Sequence, residues 1–268
     1  MNLEQIKEAW KMREGNVEAE IAAWDSTAEE YLYEKKNNFK EDPFLKFMAE
    51  KIQLDKSMET LDVGCGAGAY SVELASKVAK ADGVDLSPRM VELGNAYAKE
   101  HNIQNLHLSV SNWHTCDISP IKKKYDVVFA HTTPAVADYS TLVKMCEVSK
   151  GACFLCKPAR RTDKVFDEIK HIAGVTERIG VDDSVAYAFD TLWGLGYNPE
   201  ISYAKTVWLP KKTLKEAEDW FIGRLKGYYE PADETIDKVK EYLNSIAVDG
   251  YVNERIDTTL VNIYWRVD

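Results

Sequence analysis

The segment Leu61–Tyr70, which reads LDVGCGAGAY, restricts the possible folds of this chain more than any other segment. An apolar run typical of a strand ends there, and a helix-like run, 71–78, follows. Between them stand three glycines at alternate positions: Gly64, Gly66 and Gly68. Glycine lets the backbone turn sharply and lets a ligand approach it, and the N–H groups at a helix N-terminus are free to bind. The segment therefore predicts a strand, a ligand-binding glycine turn and a helix.

Two nucleotide-type ligands fit such a turn. Counted as Gly64-x-Gly66-x-x-Ala69, it satisfies the fingerprint of dinucleotide cofactors such as NAD. Asp62, however, stands two positions before the first glycine. Its carboxylate can bind a cation, whereas a pyrophosphate is bound by backbone amides without a nearby negative charge. S-adenosylmethionine carries an ammonium and a sulfonium group and no phosphate, so the charge pattern favours it. The dinucleotide alternative stays open at this point.

The glycine segment resembles motif I of the class I S-adenosylmethionine-dependent methyltransferases, (D/E)-x-G-x-G-x-G, with Asp62 as its acid. Asp85, at the end of the next predicted strand, resembles the family's second motif, whose carboxylate accepts hydrogen bonds from both ribose hydroxyls. An NAD enzyme places its ribose acid at about the same position, so Asp85 does not separate the two cofactors. The resemblance implies cofactor contacts from these residues: Asp62, Gly64, Cys65, Gly66, Gly68, Asp85, Leu86 and Met90.

Two further loops of this family contact the cofactor. The resemblance implies that Asn112, where the family more often has Asp, accepts a hydrogen bond from the adenine amino group and that Trp113 provides an apolar wall. It places His131, at the end of the fourth predicted strand, beside the sulfonium. An imidazole titrates near neutrality, so His131 is the candidate catalytic base if the acceptor must lose a proton. A histidine that only shapes the pocket is the alternative.

The N-terminal segment contains Trp24 and Tyr31 in the pattern W-D-x-x-A-x-x-Y. This pattern resembles the N-terminal lid of many small-molecule methyltransferases, which closes over the methionine end of the cofactor. An amphipathic helix with its aromatic side chains in the core explains the same spacing. We therefore predict a substrate-covering lid here and keep the core helix as its alternative.

Strand-like and helix-like segments alternate from residue 59 onward, which predicts a doubly wound, mostly parallel α/β sheet. The predicted strands are 59–63, 81–85, 106–110, 125–130, 151–157, 200–208 and 257–267. The predicted helices are 3–13, 17–36, one from Pro43, then 70–78, 88–101, 138–149, 163–173 and 183–195. The resemblance implies seven strands in the order 3-2-1-4-5-7-6. Residues 1–56 are predicted to form a helical lid and residues 57–268 the Rossmann-like domain.

A helical insertion at about 211–250 separates the last two predicted strands. Thr213 and Glu216 have the spacing of a capping box, and two segments of helical periodicity follow. A connection between a parallel strand and an antiparallel neighbour leaves the sheet at its carboxyl edge, where open α/β sheets bind their ligands. We expect the insertion to cover the acceptor; a thicker core or a dimer surface is the alternative.

Composition narrows the choice of partners. The 268 residues carry a formal net charge of −10, which argues against nucleic acid because phosphate-backbone binding needs a basic surface. No apolar run is long enough to span a bilayer and the N-terminus lacks a signal-peptide core, which favours the cytoplasm. The histidines show no metal-ligand spacing. Cys153 and Cys156 point to opposite faces of a predicted strand, so we expect no metal site.

On the resemblance, the chain is a methyltransferase that uses S-adenosylmethionine and acts on a small molecule, as a monomer or homodimer. A non-catalytic protein that binds the same cofactor and an NAD-type oxidoreductase are the alternatives. The fourth predicted strand is not followed by the (D/N)-P-P-(Y/F) of enzymes that methylate adenine or glutamine nitrogens, but by His131-Thr-Thr-Pro. No motif in the sequence names the acceptor atom.

Overall fold

The computed structural model describes residues 1–12, 16–33, 38–175, 181–226 and 228–268. Its main sheet contains β1 Glu59–Val63, β2 Lys80–Asp85, β3 Leu106–Val110, β4 Tyr125–His131, β5 Ser149–Asp163, β6 Glu200–Trp208 and β9 Ile256–Arg266. A separate pair consists of β7 Lys211–Thr213 and β8 Tyr251–Asn253. The main sheet has the order β3-β2-β1-β4-β5-β9-β6, and β9 runs antiparallel to both neighbours. The predicted seven-stranded topology is confirmed.

Ten α-helices are described: α1 Leu3–Ala9, α2 Val17–Ser26, α3 Pro43–Lys51, α4 Ala69–Ala75, α5 Pro88–Glu100, α6 Tyr139–Val148, α7 Lys164–Ile172, α8 Val181–Gly194, α9 Leu214–Lys226 and α10 Asp233–Ile246. Short 3-10 turns span Ala28–Tyr31 and Ser119–Ile121. The helix predicted over 17–36 instead ends at Ser26. The Ser26 and Thr27 hydroxyls donate to the carbonyls of Ala23 and Trp24, which favours a break. Residues 13 and 34–36 of the predicted helices lie outside the described residues.

Strand β5 is longer than predicted and continues through Pro158. Proline lacks an N–H and is tolerated where a strand has an open side. The pairing of β4 with β5 ends at His131 and Cys156, so that side of Pro158 is open, while β9 pairs with β5 as far as Asp163. The extension carries the chain beyond the sheet to α7, beneath the insertion.

The sheet separates two apolar cores. Trp10 of α1 is buried on one face with α6 and α8, and Phe44 of α3 is buried on the other face. Cys153 belongs to the first cluster and Cys156 to the second, which confirms that they point to opposite faces. Of the predicted N-terminal lid, α1 and α3 thus contribute to the cores, and the division at residue 56 stays a prediction.

The insertion, residues 211–253, has a core of its own. Helices α9 and α10 bury Phe221 and Leu243 against Phe166 of α7. The Thr213–Glu216 capping box is present, with both reciprocal hydrogen bonds. Trp208 at the end of β6 pairs with Ile256 at the start of β9, so the insertion leaves the sheet at its carboxyl edge as predicted. Among the described residues, no helix is both long and apolar enough to cross a membrane.

Candidate active site

The glycine turn connects β1 to α4 at the carboxyl edge. Gly64, Gly66 and Gly68 have φ angles of 69°, 55° and 79°, in the left-handed region that favours glycine. A Cβ atom on Gly64 would lie 1.9 Å from Oγ1 of Thr133, in the loop after β4. At these three positions a side chain is therefore disfavoured by backbone conformation and, at Gly64, also by space.

Asp62 lies beneath the turn, near the end of β1. Its side chain is buried, and Oδ2 accepts a hydrogen bond of 2.8 Å from Ser71 Oγ. Burial, reinforced by the negative charge of Asp85, raises the pKa of Asp62 to about 8. A buried carboxyl group of this kind becomes ionised when a cation approaches, so its chemistry fits the ammonium or sulfonium group of S-adenosylmethionine.

Asp85 at the end of β2 faces the same turn. Its Oδ2 accepts from the backbone N–H of Gly66 at 2.7 Å, and Oδ1 accepts from the N–H of Ser87 at 2.9 Å. Burial raises its pKa, against the effect of these hydrogen bonds. Each carboxylate oxygen keeps a second lone pair, so the group has the acceptors that two ribose hydroxyls require.

The other residues predicted from the first two motifs surround the turn. The buried Met90 places its sulfur 3.3 Å from where a Cβ on Gly66 would stand, and Leu86 is half-buried beside Asp85. Cys65 instead turns its sulfur toward β2, 2.9 Å from the Cβ position of Gly83. Its backbone, and not its thiol, therefore borders the turn.

The loop after β3 places Trp113 in the core. Trp113 is only 3% exposed, belongs to the core beside α6, and donates its indole N–H to the carbonyl of Thr141 at 3.0 Å. Its ring therefore serves the core and does not present an open wall to a cofactor. Asn112 is half-buried, and its amide oxygen accepts from the N–H of His114 at 3.0 Å, which leaves one lone pair for a ligand.

His131 ends β4 inside a chain of hydrogen bonds. The Tyr70 hydroxyl donates to Asp42 Oδ2 at 3.0 Å and lies 3.1 Å from His131 Nε2. The other ring nitrogen, Nδ1, lies 3.1 Å from Oγ1 of Thr132. The imidazole also packs against the Tyr70 and Phe44 rings, with centroids 4.3 and 4.9 Å away. His131 is thus fixed by partners from α3 and α4.

This network argues against His131 as a catalytic base. The Tyr70 proton is given to Asp42, so His131 Nε2–H donates to the tyrosine oxygen and Nδ1 accepts from Thr132. Burial lowers the pKa of His131 to about 3. A neutral imidazole with both nitrogens bonded has no free lone pair for the acceptor's proton. The arrangement favours the alternative, a histidine that shapes the pocket.

Thr132, directly after β4, has a φ of 47°. A β-branched residue at positive φ is strained, and such strain clusters at functional sites. The Thr132 N–H donates to the carbonyl of Cys156 at 2.9 Å, which holds the residue in place. The loop that faces the glycine turn is therefore set by tertiary contacts against the local backbone preference.

Of the two predicted lid residues, Tyr31 lies beside the turn and Trp24 packs against Tyr31. Tyr31 Cβ is 3.9 Å from the Cβ position of Gly66, and its ring meets Trp24 edge-on at 6.0 Å between centroids. Asp25, which the sequence did not single out, accepts hydrogen bonds from Ser87 Oγ and from the Arg89 N–H at the start of α5. The lid, residues 17–31, is thus attached beside Asp85. Tyr70 and Asp42 were likewise missed.

Comparison with known proteins identifies the family. A family model described as a methyltransferase domain matches residues 54–193, just over half of the 268 residues. The chain belongs to this methyltransferase family. The methyltransferase is 28% identical over 167 residues to an uncharacterized protein of Haemophilus influenzae, covering 59% of this chain and 57% of that protein. It is 40% identical over 48 residues to the sterol 4-C-methyltransferase strm-1 of Caenorhabditis elegans, covering 18% of this chain and 14% of that enzyme.

Solved structures share the fold of this methyltransferase. The YcgJ protein from Bacillus subtilis gives a TM-score of 0.51 at 13% identity, over 82% of this chain and 96% of that chain. A geranyl diphosphate methyltransferase in complex with S-adenosylmethionine gives 0.51 at 14% identity, over 83% and 84%. The fold is that of class I methyltransferases. The family match identifies a methyltransferase domain, which decides against the dinucleotide-dependent oxidoreductase alternative.

Proposed function

We propose that this methyltransferase transfers the methyl group of S-adenosylmethionine to a small-molecule acceptor by in-line displacement. The observation that carries the proposal is a roof over the carboxyl edge, where lid helix α2 contacts insertion helix α9. A carboxyl edge covered in this way is more accessible to a small molecule than to a folded macromolecule. The net charge of −10 also disfavours a nucleic-acid acceptor. We place the reaction in the cytoplasm, with the protein as a monomer or homodimer.

Bound S-adenosylmethionine supplies a methyl group already activated by its sulfonium, so the protein has to orient the acceptor and exclude water. We propose that Trp24 and Tyr31 cover the site and that His131 positions the groups around it without accepting a proton. The proposed cofactor contacts are Asp62, Gly64, Cys65 through its backbone, Gly66, Gly68, Asp85, Leu86, Met90, Asn112 and His131.

Methyl transfer from labelled S-adenosylmethionine into a cell extract tests the proposal. After the reaction, the extract is separated into protein, nucleic acid and small-molecule filtrate. We expect the label in the filtrate with the wild type and none with Gly66→Val, which places a branched side chain at a positive φ beside Met90. Calorimetric titration should show that Gly66→Val no longer binds S-adenosylmethionine. Label in the protein or nucleic-acid fraction would contradict the small-molecule assignment.

A further inference from the structure

Two arginines stand at the carboxyl edge outside the glycine turn. Arg161 lies near the end of β5 and Arg224 lies on α9 of the insertion. Both guanidinium groups contact the same oxygen of Asp163, with N–O distances of 3.1 and 3.3 Å. Asp163 is itself fixed as the N-cap of α7, where it accepts from the N–H of Phe166. One anchored carboxylate thus holds two arginine side chains together.

The pair has hydrogen-bond donors to spare. A guanidinium carries five N–H donors, and among the described residues each of these two gives one to Asp163. The side chains of Arg161 and Arg224 are 27% and 26% exposed, so their remaining donors are open to a ligand. A buried pair with no further role is normally more fully satisfied than this.

Positive charge exceeds negative charge around the pair. Lys212 adds a third cation, and the second acid of the cluster is the buried Glu254. The Glu254 carboxyl group forms no hydrogen bond with any described residue, and burial raises its pKa. Three cations therefore face two carboxyl groups, Asp163 and Glu254, which leaves a local excess of positive charge in a chain whose net charge is −10. Such a local excess attracts anions.

Aromatic rings hold the cations in place. The Arg224 guanidinium carbon lies 3.5 Å from the centroid of the Phe166 ring, and that of Arg161 lies 5.4 Å from Trp208. Because stacking fixes the plane of a guanidinium, less conformational entropy is lost when the fork binds a planar or tetrahedral anion. The arginines are therefore oriented before any ligand arrives.

The arginines face the lid side of the site. Burial raises the pKa of the Tyr31 phenol, and the positive charge of Arg161 opposes that rise, so Arg161 acts electrostatically on a lid residue. Tyr31 in turn lies beside the Gly66 turn. Arg224 lies on α9, the helix that α2 contacts. The glycine turn, the lid and the two arginines thus lie at the same edge of the sheet.

We propose that Arg161 and Arg224 bind an anionic group of the methyl acceptor, a carboxylate or a phosphate, and so hold the acceptor at this edge of the sheet. The inference rests on the proposed small-molecule methyltransferase function and adds the charge of the substrate. The insertion then has a recognition role: it carries one arginine of the pair, while the sheet carries the other.

Titration of three small probes tests the proposal. Benzoate, phenyl phosphate and the neutral benzamide are added to protein saturated with S-adenosylhomocysteine, and binding is followed by calorimetry. We expect the anions to bind and benzamide not to bind; the better anion distinguishes a carboxylate from a phosphate acceptor. Arg161→Gln and Arg224→Gln should each weaken anion binding about tenfold, the loss expected for one charge-assisted hydrogen bond. Equal binding of benzamide, or unchanged affinity in both variants, would overturn the proposal.

Two controls distinguish failure of the arginine inference from failure of the proposed function. Arg266→Gln removes an arginine that pairs with Asp268 at the opposite edge of the sheet, and anion binding should not change. Affinity for S-adenosylhomocysteine is measured in every sample. Loss of this affinity would count against the proposed function. If S-adenosylhomocysteine binds and the anions do not, only the inference about the arginines is refuted. If Arg224→Gln does not fold, Arg161→Lys still decides: it keeps the charge, loses the fork and should weaken binding less than Arg161→Gln.

Discussion

We expect the buried carboxyl group of Asp62 to link cofactor binding to proton release. In the free protein its pKa is about 8, and a bound cation favours the ionised form. Free protein then holds a proton that the complex has lost, so affinity for S-adenosylmethionine should rise as the pH is increased from about 6 to about 8. Calorimetry in two buffers of different ionisation enthalpy measures the proton released.

Asp62→Asn provides the matched control for this pH effect. The amide keeps the shape of the carboxyl group and cannot titrate, so the variant should bind more weakly and lose the part of the pH dependence that Asp62 causes. If affinity for S-adenosylmethionine depends on pH in the same way in the wild type and in Asp62→Asn, Asp62 is not the group that releases the proton.

Lys157 of β5 is buried at a cost to folding. Its Nζ donates to the carbonyl of Val136 at 2.8 Å, and burial lowers its pKa to about 8. Below about pH 8 the folded protein retains the charge of Lys157, and the desolvation of this charge is unfavourable. Between about pH 8 and about pH 10 the unfolded chain binds more protons than the folded protein, so stability rises with pH. Lys157→Met should raise the free energy of unfolding near pH 7 by about 1–2 kcal/mol.

Denaturant titrations at several pH values measure this gain, which should shrink toward pH 10. Lys150→Met is the control, because Lys150 lies on the same strand in an exposed pair with Asp126 and such pairs contribute little. A Lys157→Met protein less stable than wild type at pH 7 would show that the hydrogen bond to Val136 outweighs the burial cost.

Gly64 and Gly174 form a natural pair for testing the turn. Their φ angles are 69° and 64°, but a Cβ on Gly64 would collide with Thr133, whereas no described residue lies within 4 Å of one on Gly174. Gly174→Ala should cost about 1 kcal/mol of backbone strain and leave cofactor affinity unchanged. Gly64→Ala should lower the free energy of unfolding by more than this and abolish S-adenosylmethionine binding, as measured by calorimetry. Equal effects of the two substitutions would argue against the close approach of Gly64 to Thr133.

At the scale of elements, the side chain of Asp25 attaches the lid to α5. Asp25 joins α2 to the first turn of α5 through Ser87 and Arg89, and its carboxylate is well placed near a helix N-terminus. Asp25→Ala should loosen the lid, lower affinity for S-adenosylmethionine about fivefold to tenfold and increase hydrogen exchange over α2. Glu29→Ala, which removes an exposed pair with Arg89, should have little effect. Unchanged exchange over α2 in Asp25→Ala would refute this role.

The elements of the main sheet were predictable because each carries a periodic pattern or a glycine turn of its own. Three features were missed for physical reasons. The strands β7 and β8 have three residues each, too few to show a period. Pro158 indicates a strand end in the sequence, but β9 supports β5 beyond it. The hydroxyls of Ser26 and Thr27 favour the end of the helix at this point, although the spacing of the aromatic residues fits one continuous helix.

At the scale of the whole molecule, the proximity of the two acidic motifs was predictable because carboxyl ends of neighbouring parallel strands meet at one edge. Asp62 and Asp85 each follow from a local motif, and the fold brings them together. Tyr70 and Asp42 are 28 residues apart, and Arg224 is 61 residues from Asp163, with no local pattern that pairs them. Trp113 shows the reverse case: its loop is predictable, but the direction of its ring depends on packing against α6.

The position of β9 between β5 and β6 has a consequence for folding during synthesis. Strands β1 to β4 come from residues 59–131 and pair with one another, so the cofactor half of the sheet can form while the rest of the chain is still being made. Among the described strands β6 pairs only with β9, so it has no place in the sheet until residues 256–266 emerge from the ribosome. The donor half of this enzyme is therefore expected to assemble before the acceptor half, and the insertion reaches its final position in the last step.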